Sequence, residues 1–292
     1  MCGRYAQSRN QHELQLEFDL GVTGQEPLVG EARSWPPVEE LNPDYNIAPG
    51  KQVYAVLGAA PGEDATVVNP GSWHLCTLRW GLVPFWAKDP NVGYRMINAR
   101  SESVADKPAF RAAFAKRRCL IPADAYYEWQ LLQADASGAS EPSTSPATDP
   151  QHKQRKARAR KRPFVVRYTD GRPLAFAGLF ERWRDSTRDE QDPRAWLWSC
   201  TVITTDAAPD LAHVHERMPV VLPRADWPQW LDPSSDKDEL QQVLSHTPAA
   251  ELETFPVGTE VNSVRNNGAQ LLQPVSSQRQ AATDPQEPGT LF

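Results

Sequence analysis

The sequence predicts an α+β fold: one domain with a mostly antiparallel, barrel-like β core, peripheral helices and a disordered hairpin insertion. Three observations lead there. Short runs rich in β-branched and aromatic residues recur along the chain. Helical periodicity is confined to a few brief segments. No strict alternation of strand and helix with a glycine fingerprint occurs, which argues against a doubly wound nucleotide-binding sheet. The 292 residues allow one large domain or two small ones and are enough to bury a core without staples.

In chain order, Gln11–Phe18 reads as a helix. Residues 24–42, with Pro27, Pro36 and Pro37, read as an irregular loop that Pro43 extends. Val53–Leu57 is a strand-like run, Ala109–Lys116 a helix, and Cys119–Pro122 leads into the strand-like Ala125–Trp129. Further strands are expected at Phe164–Tyr168, Leu174–Leu179 and Trp196–Thr204, where Trp196/Trp198 and Val202/Thr204 recur with period two. Helical patterns return from Pro209–Leu211 onward and at Asp236–Ser245. Gly138–Pro150 is Ser, Pro, Thr, Ala and Asp with almost nothing to bury, and it runs into a basic stretch. Residues 131–162 therefore read as a flexible basic insertion, and 276–292, rich in Gln, Ser, Thr and Pro, as a disordered tail. That leaves residues 2–275 as the domain.

Net charge is −6, from 31 Lys and Arg against 37 Asp and Glu. Seven of those cations sit in Lys153–Arg162, so the remainder sets 24 cations against 37 anions, −13. A generic polycation is excluded, and nucleic-acid contact in the folded part requires a local basic cleft. The basic run reads as a solvated loop in preference to a phosphate-attracting arm, because blocks of like charge usually remain disordered. No apolar run reaches the roughly 18 residues of a membrane span, and Met1-Cys2-Gly3-Arg4-Tyr5 lacks the pattern of a secretory signal, so neither is expected. Four dispersed cysteines without a Cys-x-x-Cys pair point to a reducing cytoplasm, with no disulfide framework and no metal or other cofactor. Monomer is the default.

The sharpest chemical feature is Cys2. Removal of Met1 would leave an amine and a thiol on adjacent carbons. With a reference pKa near 7.7–8.0, roughly a tenth of such an amine is neutral at pH 7. It can form a Schiff base with an aldehyde, after which the thiol closes a five-membered thiazolidine. Many chains nonetheless begin this way, and Cys2 alone decides nothing.

Further signatures change the weighing. They are Asn46-Ile47-Ala48-Pro49-Gly50, Arg79-Trp80-Gly81-Leu82-Val83-Pro84-Phe85-Trp86, Met96-Ile97-Asn98-Ala99-Arg100-Ser101-Glu102, Ala123-Asp124-Ala125-Tyr126-Tyr127-Glu128-Trp129 and His213-Val214-His215-Glu216-Arg217-Met218-Pro219. With the amino-terminal pentapeptide and Val261–Gly268, and in this order, they resemble the SRAP family of SOS-response-associated peptidases or abasic-site processing proteins, over residues 1–275 apart from the loops.

The resemblance implies a covalent sensor of abasic sites in single-stranded DNA, cytoplasmic and nucleoid-associated during DNA damage. It implies Cys2 as the nucleophile that forms a thiazolidine with the sugar aldehyde. It implies Asn98 as the residue that orients and polarises beside it, Glu128 as acid/base and His215 as a second titrating group. Arg4 and Arg100 match positions that hold the DNA backbone, while Pro49 and Trp86 would offer flat surfaces to neighbouring bases. One departure stands out: some members carry two adjacent aromatics where Trp86 is followed by Ala87.

Residue chemistry fits those roles. A carboxyl between Tyr127 and Trp129 can be desolvated and kept protonated to open the sugar hemiacetal. His215 titrates near neutrality, with His213 as a competing assignment. Arg4 lies two residues from Cys2, where a held phosphate would bring the adjacent sugar close. Each residue also has a plain alternative: Glu128 an ordinary strand carboxylate, Asn98 a turn former, Trp86 core, the arginines salt bridges. Competing functions are a thiol peptidase pairing Cys2 with His215, an amino-terminal-nucleophile amidotransferase whose downstream motifs are missing, and a passive single-stranded-DNA-binding module.

Overall fold

Val53, Ala55 and Leu57 are buried in one apolar cluster while the alternate residues Tyr54 and Val56 are buried in another. A strand covered on both faces explains why the apolar runs are unbroken instead of alternating. The same division separates Cys119 and Ile121 from Leu120, and Phe176 from Ala175 and Ala177. The computed structural model describes residues 2–20, 36–58, 73–132, 160–189 and 191–275.

In chain order the strands are β1 (Tyr5–Gln7), β2 (Asp44–Ile47), β3 (Gln52–Leu57), β4 (His74–Trp80), β5 (Asn98–Arg100), β6 (Arg118–Ala123), β7 (Ala125–Leu131), β8 (Lys161–Tyr168), β9 (Leu174–Arg184), β10 (Trp196–Asp206), β11 (Arg217–Pro219) and β12 (Leu252–Pro256). The helices are α1 (Gln11–Glu17), α2 (Arg111–Lys116), α3 (Trp227–Leu231) and α4 (Lys237–Val243).

One sheet runs β12-β8-β7-β1-β2, antiparallel throughout. The other runs β10-β4-β3-β6-β9 and closes through the long β9–β10 ladder into a five-stranded barrel. Its one parallel neighbour pair is β4–β10, and β5 also lies parallel to β10 beyond β4. Closure leaves the barrel no free edge. Only Asp124 separates β6 from β7, so the chain passes directly from barrel to sheet.

The helices cover the barrel exterior. Asn10 and Asp236 each form a reciprocal capping box, with Glu13 and Glu239, which satisfies amide groups at the starts of α1 and α4. Beyond α1, Phe18 stacks on Trp227 of α3 at 4.6 Å between ring centroids.

The expected α+β, mostly antiparallel barrel is what forms. The helix expected from Pro209 does not. That segment is a series of turns, because it must return from β10 to β11 in ten residues, and the Ala207 amide bonds the Glu216 carbonyl at 2.9 Å to close it. Around the expected insertion, Leu131 pairs with Lys161 and Gln130 with Arg162, so the β7–β8 hairpin takes in both ends of the 131–162 segment. Its interior, most of the 24–42 loop, and the 276–292 tail lie outside the described residues.

Candidate active site

β1 lies between β2 and β7, with Tyr5 facing Ile47 on one side and Tyr126 on the other. Pairing continues beyond the strand end, where the Tyr127 amide donates to the Arg4 carbonyl at 2.9 Å. Carried one residue further, this antiparallel register brings Glu128 alongside the Cys2–Gly3 end of the chain. Cys2 is fully buried and belongs to the barrel-interior cluster with Tyr5, Trp80 and Cys200.

Asn98 opens β5, which β10 holds in parallel register through Val202. Its side-chain Nδ2 donates to the Cys2 carbonyl oxygen at 2.7 Å. Its Oδ1 is buried and accepts no hydrogen bond from the described residues, so an acceptor stands ready beside the start of the chain.

Glu128 is 4% exposed. Burial raises its carboxyl above the ordinary value, opposed by the positive charge of the chain terminus and by His215. Burial also pushes the Cys2 thiol far up, and the Glu128 charge adds to the effect. The thiol therefore rests protonated at neutral pH. Half-buried His215 accepts a 3.0 Å hydrogen bond at Nδ1 from the Arg217 amide, which places the proton of its neutral ring on Nε2. His213, by contrast, is exposed and packs edge-on against Phe164. An open groove of about 670 Å³, lined by Trp129–Leu132 and Ala212–Glu216, runs past His215.

Cys2, Asn98, Glu128 and His215 thus come together from four separate segments. Arg4 adjoins them but is already engaged: one terminal nitrogen donates to Asn46 Oδ1 at 2.6 Å and to the Val261 carbonyl at 2.8 Å. The guanidinium also lies over the Trp129 ring at 5.6 Å, and burial lowers its pKa. Arg100, at the far end of β5, is exposed.

Trp86 and Pro49 are less buried than Cys2 and Glu128. Trp86 is 54% exposed on the loop joining β4 to β5, next to Phe85 in sequence, and Phe85 and the same loop's Tyr94 are also exposed. That loop is fixed at several points. Gly81 has φ +125° and packs so closely on Gly93 that a Cβ would meet the Gly93 carbonyl oxygen at 2.7 Å. The Leu82 amide bonds the Met96 carbonyl, and the Trp183 indole donates to the Ala87 carbonyl at 2.6 Å. Half-buried Pro49 precedes Gly50, where an added Cβ would meet the Tyr94 ring at 3.0 Å. The loop ends at Ile97, immediately before Asn98, where the Trp80 indole holds the Ile97 carbonyl.

Sequence reasoning missed Asn46 and Tyr94. Asn46, fully buried, accepts from Arg4 and donates to the carbonyls of Ser263 and Asn266, both at 2.9 Å, tying β1 to the closing segment. Its place in the Asn-Ile-Ala-Pro-Gly signature was the available signal. Tyr94, under the Arg79 guanidinium at 5.0 Å, carried none.

Comparison with known proteins bears on this arrangement. The family model described as SOS response associated peptidase (SRAP) matches residues 1–264. Abasic site processing protein YoqW of Bacillus subtilis (strain 168) is 33% identical over 275 residues, covering 94% of this chain and 99% of that protein. Abasic site processing protein YoaM of the same organism is 34% identical over 274 residues, covering 93% and 97%. A crystal structure of a protein from Bacteroides thetaiotaomicron superposes with a TM-score of 0.66 at 20% identity, over 94% of this chain and all of that one, and shares the fold. With the family model spanning nearly the whole described domain, the chain belongs to the SRAP family.

Proposed function

We propose that this chain processes abasic sites in single-stranded DNA by capturing the opened sugar covalently at Cys2, as a thiazolidine. The observation that carries the reading is the convergence on Cys2: Asn98 bonded to its carbonyl at 2.7 Å, with the Glu128 charge coupled to both the Cys2 thiol and His215. The names of the relatives YoqW and YoaM, abasic site processing proteins, support it.

The chemistry follows from the groups present. Glu128, its proton affinity raised by burial, donates to the ring oxygen of the closed sugar while the anomeric hydroxyl gives its proton to water, and the ring opens to the aldehyde. The Cys2 amine, freed by loss of Met1, adds to the C1′ carbonyl carbon, and expulsion of one water leaves an imine. Asn98 Oδ1 accepts from the amine and points its lone pair at the carbon. The thiol then adds to that carbon: a sulfur–carbon bond forms, the imine π pair moves to nitrogen, and the thiol proton follows it through Glu128, left as a carboxylate by ring opening. Sugar plus protein gives adduct plus one water, with no redox change.

A buried, protonated thiol suits this order, amine first and sulfur second. It opposes the peptidase alternative, which needs a resting thiolate. β-Elimination from the imine, cutting the strand as a lyase, competes with closure. A single strand suits the reaction because the target sugar must be unstacked and reachable.

Intact mass spectrometry after incubation with an abasic single strand tests the reading. The expected species is the chain without Met1 plus oligonucleotide minus water. An adduct on chains retaining Met1, or one of equal heat stability on Cys2→Ala, overturns it.

A further inference from the structure

A buried indole N–H usually finds a carbonyl, and packing alone often decides which one. Trp230 shows that plain case. It is fully buried in the cluster that α1, α3 and α4 share, and it donates to the Cys119 carbonyl on β6 at 2.9 Å.

Trp80, at the end of β4, stands elsewhere. It is 1% exposed and lies in the barrel-interior cluster with Cys2. Its ring meets Tyr5 edge-on, with 5.2 Å between centroids. Its backbone is tied at both groups, the amide donating to the Lys51 carbonyl at 2.9 Å and the carbonyl accepting from the Gly50 amide at 2.8 Å. The ring therefore starts from a fixed point.

From that point the indole Nε1 donates to the Ile97 carbonyl, seventeen positions further along the chain, at 2.9 Å. β10 explains why the two meet. Cys200 pairs with Trp80 and Val202 with Asn98, both in parallel register, so the chain leaves β10 after Trp80 and returns two residues along at Asn98. The Ile97 carbonyl also receives the Val202 amide at 3.1 Å. One of its lone pairs thus belongs to the sheet and the other to the indole. A peptide is planar, so fixing the Ile97 carbonyl fixes the Asn98 amide and the origin of its side chain. From there Asn98 Nδ2 reaches the Cys2 carbonyl at 2.7 Å, and Oδ1 is left as the buried acceptor without a partner among the described residues.

We propose that Trp80 is a positioning residue of the capture reaction: its indole N–H holds the Ile97 carbonyl so that Asn98 presents Oδ1 to the Cys2 amine. The inference rests on the function proposed above, and its test separates the two.

Four full-chain variants are compared with wild type: Trp80→Phe, Asn98→Ala, the two combined, and Trp230→Phe, which removes an indole bond of the same length to β6 instead. Each is measured for equilibrium binding to an undamaged single strand and for the rate of heat-stable adduct formation from the saturated abasic complex. In the variants that keep Asn98, the resonances of its side-chain NH₂ are followed as well. Trp80→Phe should slow the saturated rate about tenfold, as expected for one misaligned hydrogen bond, and shift the Asn98 resonances. Binding should stay within about twofold of wild type. Adding Trp80→Phe to Asn98→Ala should slow capture no further, because residues that act as one unit are not additive. Trp230→Phe should match wild type in rate and in the Asn98 signal.

An unchanged saturated rate in Trp80→Phe overturns the proposal. So does an equal loss in Trp230→Phe, which would mean a general loosening of the fold. A further loss of about tenfold on top of Asn98→Ala also overturns it, since the ring would then act through another group. If Trp80→Phe does not fold, 3-benzothienylalanine encoded at position 80 keeps the ring volume, removes only the N–H, and carries the same expectations. Failure of wild type to form a Cys2-dependent adduct would instead sink the proposed function, while the Asn98 resonances would still show whether the indole places that side chain.

Discussion

Cys2 is 0% exposed and Glu128 4%, whereas Phe85, Trp86 and Tyr94 are 60%, 54% and 55% exposed, although both groups flank the short strand β5. The two regions are made by different physics. Around Cys2, burial moves proton affinities: it keeps the Glu128 carboxyl and the Cys2 thiol protonated beyond their ordinary ranges. On the loop between β4 and β5, backbone contacts set the shape and the aromatic side chains remain in solvent. The Gly81–Gly93 contact, the Leu82–Met96 bond and the Trp183 indole do that work, so the rings need not be buried to be placed. Under the proposed function, chemistry sits where water is excluded, and the surface offered to a flexible strand sits where it is not. Arg4 falls with the first group, since Asn46 and Val261 hold it.

The sharpest way to break this division is Cys2→Ala. Loss of all heat-stable adduct is expected, with affinity for undamaged single-stranded DNA retained, measured by gel and by anisotropy. Glu128→Gln comes next. Removing a general acid should slow capture from the saturated complex by roughly 10²–10⁴-fold.

The pH dependence of Glu128 has a definite sign. Its carboxyl is raised in the fold and the protonated form is the active one, so the wild-type rate should fall as pH climbs through the raised value. The glutamine variant should lack that limb. Stability moves the other way. A raised carboxyl favours the fold fully below its unfolded pKa, and that contribution is lost as pH rises through the folded one. Glu128→Gln should therefore melt higher than wild type at neutral pH, with the gap closing toward pH 4. A rate limb that survives the substitution would move the acid role elsewhere.

Much of the buried region was legible in the sequence, and the reason is physical. Unbroken apolar runs such as Val53–Leu57 and Leu174–Leu179 mark strands covered on both faces, and those strands form the barrel. Glu128 between Tyr127 and Trp129 announced a desolvated carboxyl, and its raised pKa agrees. Short strands were not legible. β1, β5 and β11 have three residues each, too few to show a period, and they exist because longer neighbours pair with them. Parallel pairing of β5 with β10 depends on partners a hundred residues apart, which no local pattern encodes. Pro209–Leu211 looked helical locally, but closing the return to β11 overrode that preference. Arg4 also shows that residue type alone does not tell what an arginine holds, since its partners, Asn46 Oδ1 and the Val261 carbonyl, are far away in sequence.

The exposed region yields smaller effects. Trp86→Ala should cost about 1–3 kcal/mol of affinity for single strands, the range of base–aromatic stacking, and leave the saturated capture rate unchanged. A fall in that rate with affinity intact would move Trp86 from the recognition surface to the chemical one.

Arg100→Gln gives the smallest expected effect and the finest test. The side chain is exposed at the end of β5, only two residues from Asn98, so it could act on either side of the division. As a phosphate contact its loss should weaken binding evenly across sequences and lower the salt slope by about 0.7, the value for one single-strand phosphate. The adduct rate at saturation should not move. Were Arg100 instead to tune the buried groups through Asn98, the salt slope would hold and the saturated rate would drop. A titration of affinity against salt, paired with single-turnover capture, distinguishes the two outcomes and fixes where along β5 recognition gives way to chemistry.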